Sequence, residues 1–330
     1  MTVLYVVLIF VLIVILIFSL KAFQMSLGRK KAEAFLAAME PVNIKNFGSV
    51  SSLSIIPLVD FYAENKSYAT EEGTSFFIEA DEEKILYDVG FNKNNEHPSP
   101  LLKNMNILGI SPSDASMIFI SHLHRDHIGG TAFERRNEFS LSAGEVKLNN
   151  IPVYAPDKIK PSKNNPEPEV KVITLPTVLG KGIASIGVYP RSLFLIGYTI
   201  EHSMVINLKG KGLVLIIGCG HQGTEAILDR VAQTFDEPLY AIIGGLHFPV
   251  NGGRVMVGPF NMQNIVGVDR KPWKGIGESN VESAIKKIKS MDPQIVAISA
   301  HDSSDWAINK FKEEFGERYR DIVVGKKIEL

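Results

Sequence analysis

Residues 120–130 read Ile-Ser-His-Leu-His-Arg-Asp-His-Ile-Gly-Gly, so His122, His124, Asp126 and His127 fall within six positions. Imidazole and carboxylate ligands suit Zn²⁺, and also Fe or Mn. The cluster follows an apolar run at 116–120, predicted to be a buried strand. A turn after a strand lets His122 and His124 point one way and Asp126 and His127 another, so one short segment can feed two metals. Gly129-Gly130 lets the backbone turn sharply and pass close to such a site. The plainer reading is a surface loop that happens to hold histidines. Clustered histidines need partners, however, and a metal supplies them.

The elements around this segment must bring further ligands to it. Residues 50–62 are predicted as a first strand. Residues 74–80 and 84–89 are β-rich and joined by Asp81-Glu82-Glu83, a hairpin pattern. A helix suits 101–108. The Pro- and Lys-rich stretch 157–170 is expected to be a surface loop. Strands at 201–208 and 213–217 flank Lys209-Gly210-Lys211-Gly212, a second hairpin. Then come a helix at 224–235, a strand at 239–243, a long Gly-rich stretch at 248–280, a helix at 281–291, a strand at 295–299 and a helix at 304–315. Hairpins first, then alternating strands and helices, suit two sheets sandwiched between helices.

The segment SHLHRDHIGG resembles the HxHxDH signature of the metallo-β-lactamase superfamily, and the resemblance extends over nearly all of residues 51–330. It implies an α/β fold, the αββα sandwich. KILYDVG resembles the strand that ends in the superfamily's first motif acid, here Asp88. That acid lies behind the ligands and orients the metal loop; a plain turn residue before Gly90 is the alternative. Within the superfamily the chain is similar to the branch named for the dihydropterin–aminobenzene ribofuranosyl phosphate synthase. GTSFFIEADEEKILYDVGF, GLVLIIGCGHQG, AIIGGLHF and ISAHDSSDWA carry this likeness. The branch's Gly-Cys-Ser-His appears as Gly218-Cys219-Gly220-His221. Its His-Cys-Thr-Gly appears as His301-Asp302-Ser303-Ser304, which keeps the His and replaces the Cys and the Gly.

The resemblance implies two zinc ions per chain, with Fe or Mn as substitutes. His122, His124 and His221 would hold one, and Asp126, His127 and His301 the other. His221 and His301 each follow an apolar strand, LVLII and IVAIS. Cys219 lies where many members of the superfamily place a bridging Asp. A bridging thiolate and a buried thiol behind the ligands both remain open for it. His247 falls at the rim of the site, to bind substrate or protonate a leaving group; a structural His is the alternative. Asp126 is expected to orient the attacking hydroxide as well as bind metal. His202 and His97 are expected to be structural.

The implied activity is hydrolysis at a phosphoryl or carbonyl centre of a small anionic substrate, with metal-activated hydroxide as nucleophile. The alternative is a dihydropterin-type transferase that displaces pyrophosphate. A di-iron oxidoreductase of this fold typically has Glu where His124 stands, and a flavin domain; neither feature is present. A copy without catalytic activity commonly loses ligands, and this chain keeps a full set. A nuclease of this fold would need a domain-sized insertion, for which the gap between His127 and His221 is too short. In the stretch 248–280, Arg254, Arg270, Lys271, Trp273 and Lys274 could grip an anionic, ring-bearing substrate, like a hinged lid. A solvated basic loop fits the same residues.

Bulk composition narrows the partners. The chain has 330 residues and a formal net charge of -1, without the basic excess of a nucleic-acid surface, so no nucleic-acid partner is expected. The one cysteine excludes a disulfide framework within the chain. Residues 2–20, TVLYVVLIFVLIVILIFSL, carry no charge, Pro or Gly. As a helix they would span about 28 Å, close to a hydrocarbon core. No basic residues precede the run and no good cleavage site follows it, which argues against a signal peptide. We expect a transmembrane anchor at 1–22, a juxtamembrane spacer at 23–50 with a short amphipathic helix, and the catalytic domain at 51–330. Lys21, Arg29, Lys30 and Lys31 all follow the run, which puts that domain in the cytoplasm of a single-pass protein.

Overall fold

A strand covered on both faces alternates between two buried environments, and Gly212–Ile217 does so. Leu213, Leu215 and Ile217 pack against the helices Thr224–Thr234, Glu278–Ser290 and Asp305–Phe315, while Val214 and Ile216 face Ile55, Phe76, Ile78 and Tyr87 of another sheet. On the far side of that sheet, Phe77, Leu86 and Ile118 pack with Leu101 and Met105 of the helix Pro100–Ile107. The order is therefore helix, sheet, sheet, helix. The computed structural model describes residues 2–271 and 273–330.

The first sheet runs in the order Ile328–Glu329, Leu53–Val59, Ser75–Ala80, Glu83–Tyr87, Met117–Phe119, Pro152–Ala155 and Glu169–Val172. The second runs Ile295–Ile298, Leu239–Gly244, Gly212–Ile217, Gly197–Leu208, Ile183–Leu193 and Thr177–Gly180. Met117–Phe119 lies parallel to Glu83–Tyr87, and Gly212–Ile217 and Ile295–Ile298 each lie parallel to Leu239–Gly244. Parallel strands end on the same side. Asp88, His122, Cys219, His247 and His301 all follow such ends, the usual place for ligands in α/β sheets.

Two stretches differ from the sequence expectation. Ile183–Leu193 is a strand of 11 residues paired with Gly197–Leu208, where the sequence suggested no strand before 201. Gly187 and Pro190 interrupt its apolar pattern, and the register shifts between Ser185 and Val188. The loop expected at 157–170 contributes Lys160–Pro161 and the start of the edge strand Glu169–Val172, whose exposed residues give little apolar signal.

The N-terminal helix is continuous over Thr2–Ala37, rather than an anchor followed by a separate short helix. It is the one helix, among the described residues, long and apolar enough to cross a membrane. Past the apolar run, Met25 and Ala32 are buried and Ala22, Gly28 and Arg29 half-buried, a stripe at helical spacing laid on the hairpin 183–208. Gly28 permits this approach, since a Cβ there would meet Ser192 Oγ at 2.3 Å. The expected spacer is thus packed on the domain: Phe47 is buried, Ile44 N donates to Thr234 O and Val50 N to Asn207 O.

Candidate metal centre

The turn after Met117–Phe119 is held from beneath by Asp88. Its Oδ1 accepts from Ser121 N at 2.7 Å, and its Oδ2 accepts from Ser121 Oγ and His127 Nδ1, each at 2.7 Å. Asp88 itself has a φ of 53°, a left-handed backbone that costs energy in a residue with a Cβ. Gly129 is needed for a steric reason as well, because a Cβ there would lie 1.8 Å from Ser140 O.

Each imidazole has one nitrogen anchored, and the anchors fix the protons. Ser121 Oγ donates to Asp88, so His122 Nδ1, 3.0 Å from that hydroxyl, must donate to it. Ser299 Oγ donates to Asp60 Oδ2, so His301 Nδ1 donates to Ser299 Oγ at 2.6 Å. His221 Nδ1 donates to Gly267 O at 2.9 Å. With His127 Nδ1 held by Asp88, four histidines aim Nε2 at the centre. His124 is reversed: its Nε2 lies 3.3 Å from Thr199 Oγ1, and its Nδ1 lies 2.9 Å from His122 Nε2. Anchoring one ring nitrogen so that the other can ligate is how metal-binding histidines are oriented.

These free nitrogens converge. Asp126, His127, Cys219 and His301 offer donor atoms within 4.8 Å of one another, and so do His122, Cys219 and His221. The Cys219 thiol belongs to both groups, with Sγ 3.2 Å from His127 Nε2 and 3.2 Å from His301 Nε2. Five of the six residues named as ligands from the sequence are therefore brought together around the thiol; the sixth, His124, lies beside them, with Nδ1 2.9 Å from His122 Nε2. His247 joins a third group with Cys219 and Asp302. Its Nε2 lies 3.3 Å from Gln263 O, its backbone is left-handed with φ 52°, and its buried Nδ1 has no partner. His202 stands apart. It stacks on Phe119 with centroids 4.1 Å apart and bonds Ser185 Oγ and Ile120 O, as a structural histidine does. His97 bonds Ser142 Oγ, away from the centre.

Burial, then the neighbouring imidazoles, holds His122 and His221 well below the usual imidazole range, and burial does most to lower His301. Burial brings His124 to about 4. Their lone pairs are therefore available at neutral pH, as metal binding requires. His127 differs: burial opposes its charge, but Asp88 and Asp126 outweigh that and raise it to about 9. Burial and the carboxylates of Asp302 and Asp126 push the Cys219 thiol up, so a cation is what would favour thiolate there. Donor set, fixed tautomers and the partnerless His247 Nδ1 all fit residues built to hold metal.

Sequence reasoning missed several supports. Glu201 is buried and accepts from the backbone N–H groups of Cys219, Gly220 and His221 at 3.1, 2.8 and 2.8 Å, so it carries the loop that presents two donors. Asp60, through Ser299, fixes His301. Burial raises Glu201 and Asp60 to about 7 each. Asp302 Oδ2 accepts from His247 N at 2.9 Å. The only sequence trace of Glu201 and Asp60 is an acid inside an apolar strand or at its end. The basic loop divides. Arg254 donates to Ala300 O and Asp305, and its side chain is 6% exposed, so it latches the loop instead of facing a substrate. Arg270 lines a cavity of about 420 Å³ beside the donors, with Arg191, His221, His247 and Asn280.

The comparisons agree with this geometry. Residues 70–138, which hold Asp88 and the histidine segment, match the model of the metallo-beta-lactamase superfamily. The chain is 25% identical over 333 residues to the 7,8-dihydropterin-6-methyl-4-(beta-D-ribofuranosyl)-aminobenzene-5'-phosphate synthase of Methanocaldococcus jannaschii, across 87% of this chain and 100% of the relative. A solved metal-dependent hydrolase of the beta-lactamase superfamily superposes with a TM-score of 0.54 at 21% identity, covering 84% of this chain and 99% of that one. This is a protein of the metallo-β-lactamase fold. The resemblance stated from its sequence holds, down to the branch that bears the synthase's name.

Proposed function

We propose that the chain is a membrane-anchored, metal-dependent hydrolase with two divalent cations, zinc by preference, acting on a phosphoryl or carbonyl centre of a small anionic molecule. The observation that carries this reading is the convergence of four anchored imidazoles, those of His122, His127, His221 and His301, on the Cys219 thiol, with Asp126 in one of the two groups and His124 beside His122. His122, His124 and His221 would hold one cation; Asp126, His127 and His301 would hold the other, with the Cys219 thiol between them. Such a pair supplies Lewis acidity, activating water and neutralising charge that builds on the reacting centre. Asp126 stands 3.6 Å from His127 Nε2 and is only partly buried, so its carboxylate can also orient the attacking water. His247 is kept neutral, at about 4, chiefly by burial. Its Nδ1 therefore accepts a hydrogen bond from substrate at neutral pH. Arg270, for which no acidic partner exists among the described residues, offers charge to an anionic group at the cavity.

A second reading rests on the relative from Methanocaldococcus jannaschii, whose name is that of a synthase. In it the same residues would stabilise a departing pyrophosphate from a dihydropterin. We further propose that the N-terminal helix spans the membrane once with the domain in the cytoplasm, and that no nucleic acid takes part. Elemental analysis of the full chain in detergent, with a panel of phosphodiesters, phosphomonoesters and lactones, tests the main reading. About two equivalents of metal with turnover of one ester class are expected. Metal-free protein that turns over an ester at the same rate would overturn it. Turnover only of a dihydropterin diphosphate, with release of pyrophosphate, would select the second reading.

A further inference from the structure

The turn that joins Ile183–Leu193 to Gly197–Leu208 carries Phe194, Leu195 and Ile196, where hairpin turns ordinarily use Gly, Asn or Asp. Leu195 adopts a φ of 66°, the conformation that those residues take most easily, and is 38% exposed; Ile196 is 46% exposed. Two large apolar side chains at a strained, exposed tip have no use in the core. The N-terminal helix says what lies beside them. Phe18, inside the charge-free run, packs at a tilt against Phe194, with centroids 5.7 Å apart. The helix stripe docked on the domain begins at Lys21 and Ala22, directly after that run. No slack separates span from domain, so the tip stands at the level of the span's last turns.

The same tip is joined to the candidate site. Phe194 N donates to Val268 O at 3.3 Å, and Arg29 of the helix donates to Asp269 Oδ1 at 2.7 Å. Val268, Asp269 and Arg270 form one wall of the cavity of about 420 Å³ that also reaches His221 and His247. Asp269 is covered by Arg29 and, at 3.7 Å, by Arg191, whereas Arg270 keeps its charge toward solvent. An apolar tip at bilayer level beside a donor-lined cavity that carries the charge of Arg270, unpaired among the described residues, although Asp269 and Glu225 also line it, matches a molecule with an anionic head and an apolar tail.

We propose that the candidate site opens on the bilayer: the tip Phe194-Leu195-Ile196 seats in the membrane interface beside the helix, and the cavity takes the anionic head of a membrane amphiphile. This rests on the anchor and on the site described above, but not on the reaction being a hydrolysis. The test uses the full chain in phosphatidylcholine vesicles, with an environment-sensitive fluorophore on Ile196→Cys or on Lys209→Cys; Cys219 is buried. Lys209 lies at the other end of the same strand, about 40 Å away at ~3.3 Å per residue. The label at 196 should be quenched several-fold by doxyl-labelled lipid and shielded from iodide, and the label at 209 should behave in the opposite way. Equal iodide access at both positions would overturn the seating.

A second arm measures binding of dodecyl phosphate and methyl phosphate to the full chain in phosphatidylcholine nanodiscs, with empty nanodiscs as the blank. Dodecyl phosphate should bind at least ten-fold more tightly, and Arg270→Ala should lose most of that affinity. Equal affinity for the two phosphates would overturn the amphiphile, and binding unaffected by Arg270→Ala would remove the cavity as its seat. Neither arm needs turnover, so failure of the hydrolase reading would leave both results standing.

Discussion

His221 Nδ1 donates to the carbonyl of Gly267 across 2.9 Å, and this one bond ties a donor of the candidate centre to the loop 248–280. Gly267 also lies against His247, since a Cβ there would meet its Nε2 at 2.7 Å. Gly267→Ala should therefore disturb two histidines at once while leaving the core untouched. Metal affinity, read by competition with a chromophoric chelator, should fall about 10- to 100-fold, as it does when the groups that orient ligands are lost. The unfolding midpoint of the metal-free protein should stay within a few degrees of the parent. Unchanged affinity would show that Gly267 does not orient His221.

Removal of donors should be graded by position. His122→Ala and His301→Ala should each lower the bound metal by about one equivalent or more and abolish turnover, because each takes a lone pair from a different donor group. Dialysis against a chelator should have the same effect on the parent, reversed by added zinc. Full metal content in either variant would assign that histidine a structural role.

His202 separates structure from chemistry. His202→Gln should keep the parent's metal content, since the side chain bonds only Ser185 Oγ and Ile120 O. It also carries a pH signature. Burial keeps His202 neutral in the folded protein down to about 3, whereas the unfolded chain gains its proton near 6.5. Between these values the unfolded state binds the extra proton, so stability falls as pH drops from about 6.5 toward 3. At pH 5 this amounts to about 2 kcal/mol. Denaturant melts of metal-free protein at pH 5 and 7 should show a smaller acid loss in the variant; an identical loss would refute the assignment.

The two arginines of the long loop should part company. Arg254→Ala removes a buried guanidinium bonded to Ala300 O and Asp305, and should cost stability by about 1–3 kcal/mol. Arg270→Ala should leave stability alone and raise KM more than it lowers kcat, because it would act on binding. Melting curves and steady-state kinetics on a substrate found by the ester panel distinguish them. The reverse pattern would mean that Arg254 faces the substrate.

The histidine segment stood out in the sequence because its donors are contiguous and follow an apolar strand. The order of sheets and helices was legible for the same reason, in runs such as 213–217, where every residue is buried, and 239–243, where every residue but Tyr240 is. What stayed hidden depends on partners far along the chain. Asp60 acts on His301 through Ser299, and Glu201 acts on backbone N–H groups 18 to 20 positions away, so neither leaves a local pattern. The strand Ile183–Leu193 was masked by its own Gly187 and Pro190. Continuity of the N-terminal helix was masked by a change of composition at Lys21, where an apolar surface gives way to a stripe docked on protein.

The donors come from strand ends of both sheets, and His301 follows the last long strand of the second. In synthesis, the apolar helix leaves the ribosome well before His301. Neither donor group can assemble on a half-made domain, because both need the 219–221 loop and one also needs His301. With the helix as anchor and the donors loaded as proposed above, the protein would reach its membrane before it could take up metal. Loading would then draw on the ion pool of whichever compartment the domain folds in, and a cell that starves that pool would accumulate a protein that is targeted but unloaded.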